Sequence, residues 1–339
     1  MPLRRMVRCP VRAFHSRAVA ARSHSPTRSA PAAPALAALA APAPAAPALA
    51  ALAALALALA ALAALAACGA SRPACEVTAA PAPPGAPFLW RVQRGEGPVL
   101  WLYGTFHNGH ARVPPAAHAA LESAAHFASE LGDAEPDPEQ LRELSRLPRG
   151  KGLDALLPAS DWWDLRDALR GVVAEPVLAR ARPWFAMTQL TSTMAPSPRP
   201  TMDVALARRA RERKLPVDAL ETWAEQLTAL DAAVTLADLQ QAIRERAAVR
   251  CSVERILAAY AAGDLDAMGR LLGGAQSETL LAARNRKWLP QLERYLAARG
   301  AFVAVGVSHM AGAEGLPALL ARAGYAVERA PPADRATVR

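Results

Sequence analysis

Between residues 89 and 329, short apolar runs with the composition of strands alternate with longer stretches in which apolar residues recur at helical spacing. The runs predict strands at 89–93, 99–103, 126–131, 216–220, 301–305 and 325–329. The longer stretches predict helices at 115–124, 138–146, 159–169, 183–193, 202–214, 223–232, 236–262, 264–273, 277–299 and 315–323. This alternation predicts an α/β domain with a mixed, mostly parallel sheet flanked by helices. One helical insertion falls within 135–214 and another within 223–299. No Gly/Ser-rich linker divides the stretch, so one domain is expected over 88–329, followed by a tail at 330–339.

The first 67 residues carry a different pattern. Seven arginines and no acid precede an Ala/Pro/Leu tract that is purely Ala and Leu from Ala48 to Ala67. A basic front, an apolar core long enough to cross a bilayer and a small-residue end describe an export signal. The tract closes on Leu65-Ala66-Ala67-Cys68, which resembles a bacterial lipobox, with Cys68 as the lipid-carrying residue. An ordinary signal cut nearby and an uncleaved anchor are the alternatives, and an upstream start would explain the length of the basic front. Residues 68–87 are rich in Ala and Pro and read as a tether between lipid and domain. The expected location is therefore the cell envelope, lipid-anchored. No aspartate follows Cys68, which points to the outer membrane facing the periplasm.

Subtracting the leader's seven arginines changes the electrostatic reading, because 32 basic residues then face 30 acids. The high isoelectric point belongs to the leader, and no nucleic-acid footprint remains. In an exported chain, Cys75 and Cys251 could pair as a disulfide.

Two strand ends repeat one motif. Gly104-Thr105-Phe106-His107 and Gly306-Val307-Ser308-His309 each place a histidine three residues beyond a glycine at the end of an apolar run. In open α/β sheets ligands bind outside the carboxyl ends of strands. The glycine suits a sharp turn off the strand and a close approach to a ligand. Two further predicted strands end at Glu130 and Glu221. If these four strands lie parallel, His107, Glu130, Glu221 and His309 share one rim. Two imidazoles and two carboxylates suit a divalent metal such as Zn, Mn or Co. Either glutamate could instead be a helix N-terminal charge or a surface ion pair. Arg284 and Asn285 offer a guanidinium and an amide on a long helix, able to bind a carboxylate or steady an oxyanion if they face the rim. His110, His118 and His126 read as surface or packing residues. A nucleophile elbow, an H-E-x-x-H helix, a P-loop and a dinucleotide-binding glycine loop are all absent.

Taken in order, these residues resemble the TraB/GumN family, which is related to the Tiki metalloproteases. The matching stretches are Leu89-Trp90-Arg91-Val92, Tyr103 to His107, Glu130, Pro183-Trp184, Asp203-Val204-Ala205-Leu206, Leu220-Glu221-Thr222 with Gln226-Leu227, Arg284-Asn285, and Val305 to Gly312, with Gly315-Leu316 and Gly324 to Val327 after them. The resemblance implies a fold like that of erythromycin esterase and the haem-binding lipoprotein ChaN, with both G-x-x-H motifs and Glu130 in the site. It implies metal-dependent peptide-bond hydrolysis through the Tiki branch. Leu131-Gly132 after Glu130 and a shortened Ala-rich middle depart from the family pattern. The expectation is a lipid-anchored, metal-dependent hydrolase of peptide or protein substrates, with metal on His107, His309, Glu130 and Glu221 and with Glu130, Arg284 and Asn285 catalytic. The competing expectations are a binding lipoprotein that holds haem, iron or a peptide with the same histidines, and a scaffold with both histidines merely buried.

Overall fold

The computed structural model describes residues 85–107, 111–194, 199–272 and 278–332. The leader, Cys68, Cys75, His110, most of the tether and the end of the tail lie outside the described residues. Cys251 is disulfide-bonded, and the chain's other three cysteines fall in that undescribed part. Among the described residues no helix is long and apolar enough to cross a membrane.

Among the described residues six strands form one sheet: β1 (Leu89–Gln93), β2 (Leu100–Thr105), β3 (Phe127–Ser129), β4 (Val217–Ala219), β5 (Ala301–Gly306) and β6 (Ala326–Arg329), in the order β4-β3-β5-β2-β1-β6. The four strands from β4 to β2 run parallel, while β1 is antiparallel to both β2 and β6. All six strands fall where the apolar runs predict them. Their burial follows their place in the sheet. Central β5 is buried along its whole length, as a strand covered on both faces must be. Edge strand β6 alternates exposed and half-buried residues.

Among the described residues thirteen α-helices flank the sheet. Between β2 and β3 lies α1 (Pro115–Ser123); between β3 and β4 lie α2 (Pro138–Leu144), α3 (Leu153–Leu156), α4 (Ala159–Ala168), α5 (Glu175–Ala179), α6 (Pro183–Met194) and α7 (Met202–Glu212). After β4 come α8 (Trp223–Ala233), α9 (Leu236–Arg244), α10 (Arg246–Ala261), α11 (Leu265–Leu272) and α12 (Ala283–Ala298), and α13 (Leu316–Arg322) precedes β6. Two expected helices are interrupted. The stretch 236–262 breaks at Glu245, whose φ of −110° and ψ of 32° leave the helical region, and Arg244 just before it clasps Asp161 on α4 at 3.1 and 2.7 Å. The stretch 277–299 opens with a π-helical turn, Glu278–Ala282, before α12 begins.

Two apolar cores result. One joins the sheet to its flanking helices through Tyr103, Phe127, Phe302, Leu206, Trp288 and Leu292. The other lies within the helical insertions, around Trp162, Leu165, Trp184, Leu190, Leu227 and Leu239. At about 1.5–3 kcal/mol for each large apolar side chain buried, either cluster can hold its elements together. The carboxyl ends of the parallel strands open between these two cores.

Gly300 makes the turn from α12 into β5. Its φ is +71°, its N–H donates to the Tyr295 carbonyl at 2.8 Å, and a Cβ there would lie 2.0 Å from the Val99 carbonyl oxygen. Gly300→Ala is expected to cost at least ~1–3 kcal/mol for the backbone conformation alone. A urea unfolding midpoint unchanged from wild type would contradict this.

Candidate active site

Strand register sets the level of the site. Thr105 on β2 pairs with Gly306 on β5, and Ser129 on β3 pairs with both Ala304 on β5 and Ala219 on β4. His107, Glu130, Glu221 and the short 3-10 turn Val307–Met310 that carries His309 therefore all leave the sheet at one end. The parallel arrangement that the sequence reading required is the one the sheet adopts.

Arg284, in the first turn of α12, fills the middle of this rim. Its Nε donates to Glu221 Oε2 at 2.9 Å, and its Nη2 donates to Glu221 Oε1 at 2.6 Å and to Glu130 Oε2 at 2.7 Å. Its Nη1 donates to the Leu280 carbonyl at 2.9 Å and faces His309 Nε2 at 3.3 Å. A guanidinium has five N–H donors, and these five contacts use them all. Arg284 is thus committed to the framework and presents no spare donor to a substrate. Glu221 is likewise held through both oxygens, with its side chain 1% exposed. The sequence reading gives these two residues a substrate-binding and a ligand role; the structure shows them locked to each other.

Glu130 divides its two oxygens between the framework and the imidazoles. Oε2 accepts from Arg284 and, at 2.9 Å, from Gln226 Nε2 on α8. Oε1 accepts from the Gly306 backbone N–H at 2.8 Å, and it lies 3.9 Å from both His107 Nε2 and His309 Nε2. Burial would raise this carboxyl's pKa, but Arg284, then the two histidines and the Gly306 N–H, outweigh it and hold the group at about 2.

Each imidazole is oriented by a partner at its other nitrogen. His309 Nδ1 lies 2.6 Å from Asn285 Oδ1. The Asn285 amide nitrogen donates to the Glu314 carbonyl at 2.7 Å and to the His309 carbonyl at 3.3 Å, so its oxygen faces the ring and must accept. The proton of His309 is therefore on Nδ1, and the Nε2 lone pair faces Arg284 Nη1 at the edge of the site. Burial first, and Arg284 after it, lower the pKa of this ring to about 3. His107 Nδ1 forms an ion pair with Asp203 Oδ2 at 2.7 Å, and Thr105 Oγ1 donates to Asp203 Oδ1 at 2.7 Å. Burial opposes a charge on His107, but Asp203, by charge and hydrogen bond, and then Glu130 overcome it and raise the ring to about 9, against Arg284. The potential at His107 Nε2 is thus negative enough to hold a proton at neutral pH, and it would favour a metal cation in the same way.

The glycines serve close approach rather than turning. Neither Gly104 nor Gly306 has a positive φ. A Cβ on Gly306 would sit 2.9 Å from His107 Nε2 and 3.4 Å from Glu130 Oε1. A Cβ on Gly104 would press on Val307 Cα and Met310 Cγ, both at 3.1 Å.

A cavity of about 350 Å³ opens onto His107, Glu130, Arg284 and His309. Asp203, Thr105 and Gln226 complete the site, and the sequence reading does not single them out as functional. Asp203 and Gln226 sit on helices remote in sequence from the strand motifs, and only their place in the family-like stretches marks them. His118 is exposed. His126 pairs with Asp218 at 3.3 Å and packs on Tyr295, outside the site. Among the described residues no three His, Cys, Asp or Glu side chains stand close enough to hold a metal as they are.

With its pKa raised from 6.5 to about 9, His107 contributes stability that is complete below pH 6.5 and fades as the pH rises through 9. In Asp203→Asn the ring should titrate near or below 6.5, and the variant should lose that contribution. Histidine side-chain NMR titration checks this; a His107 pKa still near 9 would contradict the assigned cause.

A profile of the TraB/PrgY/gumN family matches residues 88–329. No curated protein and no solved structure shows a match to the chain. The profile runs from the start of β1 to the end of β6 and takes in every residue bonded to Arg284, and the chain belongs to the TraB/PrgY/gumN family.

Proposed function

We propose that this protein is a divalent-metal-dependent hydrolase of peptide bonds, anchored at the cell envelope through lipid on Cys68. The observation that carries the catalytic part is the shared distance: His107 Nε2 and His309 Nε2 each lie 3.9 Å from one oxygen, Glu130 Oε1. The donor types suit a metal of the Zn, Mn or Co kind, two imidazole nitrogens and one carboxylate oxygen, provided that the three side chains draw closer than they stand and His309 Nε2 exchanges Arg284 Nη1 for the ion. The backing fits too, since metal-binding histidines are commonly held at the second nitrogen by a carboxylate or amide oxygen, as Asp203 and Asn285 do here. Gly306 leaves free the space in which His107 and Glu130 meet. Glu221, tied to Arg284, falls out of the ligand set, which leaves His107, His309 and Glu130.

Such an ion would polarise a substrate carbonyl and ease the ionisation of water. The chain's own residues do the rest. Arg284 and Gln226 fix Glu130 through Oε2, and the Gly306 N–H holds Oε1, so that oxygen is pre-positioned beside both imidazoles. Asn285 keeps His309 in the tautomer that offers Nε2. Asp203 lines the cavity with both oxygens engaged, by His107 Nδ1 and Thr105 Oγ1, so it fixes the His107 ring with Nε2 towards Glu130. Leu131, Val204, Leu230 and Leu280 line the same cavity and limit the water around the reacting groups.

Elemental mass spectrometry of the purified protein should find about one Zn, Mn or Co per chain, lost in both His107→Ala and His309→Ala while circular dichroism stays unchanged. Full metal content in either variant, or a wild-type protein that takes up none of the three ions, would refute the assignment.

A further inference from the structure

Gln226 is 4% exposed and lines the cavity. Its helix is firmly started: Thr222 Oγ1 accepts from the Glu225 N–H at 3.3 Å, and Glu225 Oε2 accepts from the Thr222 N–H at 2.9 Å. The first turn of α8 therefore holds Gln226 at a set height above Glu130. The orientation of the amide is also settled, because its nitrogen lies 2.9 Å from Glu130 Oε2 and an ionised carboxylate only accepts. Oε1 then points away from Glu130, and it has no hydrogen-bond partner. A buried acceptor left unsatisfied costs about 1–3 kcal/mol, and such atoms in a folded protein call for an explanation. Of the four side-chain atoms in this condition among the described residues, those of Arg180 and Trp288 lie away from the cavity, and the Asp203 oxygen already faces His107. The Gln226 oxygen is the acceptor that awaits a donor.

The wall beside it is apolar. Leu131, Val204, Ala207, Trp223, Leu230 and Leu280 line the cavity next to the polar cluster. The Trp223 indole N–H is already used, donating to the Ala134 carbonyl at 2.7 Å, so the ring contributes its apolar surface. A ligand suited to both features has an N–H donor close to an apolar side chain.

We propose that Gln226 recognises a backbone amide N–H of the substrate, with an apolar side chain of that substrate seated against Trp223, Leu230 and Leu280. This deepens the hydrolase reading on which it rests, because it makes the site selective for peptides over esters of the same shape. An ester oxygen in place of the N–H would leave Gln226 unsatisfied and set two acceptors face to face. A site built to bond an N–H rejects an analogue without it more sharply than an apolar pocket rejects a small change in size.

The test uses acetyl-Leu-Leu-methylamide and three analogues, in each of which one N–H is replaced by oxygen, titrated calorimetrically into metal-free protein. One of the three analogues should bind about ten-fold more weakly than the parent to wild type. In Gln226→Met the parent and that analogue should bind alike, the loss of the bond to Glu130 weakening both together. Equal binding of all four compounds by wild type overturns the proposal, as does discrimination that survives in Gln226→Met, or no binding of the parent at all. Because these titrations use no metal, a failure of the metal assay removes the hydrolase reading and leaves this result to stand or fall alone.

Discussion

One buried cation holds this site together. The Arg284 guanidinium sits between Glu130 and Glu221, with all five donors in use, and it ties the first turn of α12 to the ends of β3 and β4 and to the turn that bears His309. A buried ion pair is weak evidence of stability in itself, since desolvation offsets much of the attraction. Its consequence here is geometric. Removing the charge would leave two carboxylates in an apolar setting, so Glu130 owes its ionised state first to Arg284, and it shares its fixed direction between Arg284, Gln226 and Gly306. The pair of imidazoles would otherwise face an oxygen with no defined place.

Around that cation the two histidines play opposite parts. His309 is neutral, packed at 4.5 Å against the ring of Trp288, and its tautomer is dictated by Asn285. His107 is charged, because Asp203 and Glu130 flank it. The sequence repeats a glycine and a histidine at the same spacing, yet the sheet aligns Thr105, not Gly104, with Gly306. The two motifs are therefore offset by one residue, and the chemical difference between the rings follows from their neighbours rather than from the motif.

Much of the fold is legible in the chain. The central strands announce themselves because they are covered on both faces and read as unbroken apolar runs, as in Ala301–Gly306, while edge strands β4 and β6 are shorter and partly exposed. The helices Leu153–Leu156 and Glu175–Ala179 are missed because four or five residues are too few to show a period. The convergence of His107, Glu130, Glu221 and His309 follows from strand ends alone once the strands are parallel. What each residue does there does not. Glu221 reads as a ligand in sequence because nothing shows that an arginine 63 positions away clasps it. The same holds for Asp203, 98 positions from its partner Thr105. Long-range side-chain pairing leaves no period and no local signature, so the framework of the site stays hidden where its position is plain.

Whether Glu130 and the two imidazoles form a single cation site is read out by histidine nitrogen NMR during zinc titration. The Nε2 resonances of His107 and His309 should shift together and saturate at about one equivalent of zinc, while both Nδ1 atoms keep their protons. A shift confined to one ring, or Nδ1 of either ring binding in place of Nε2, would contradict it.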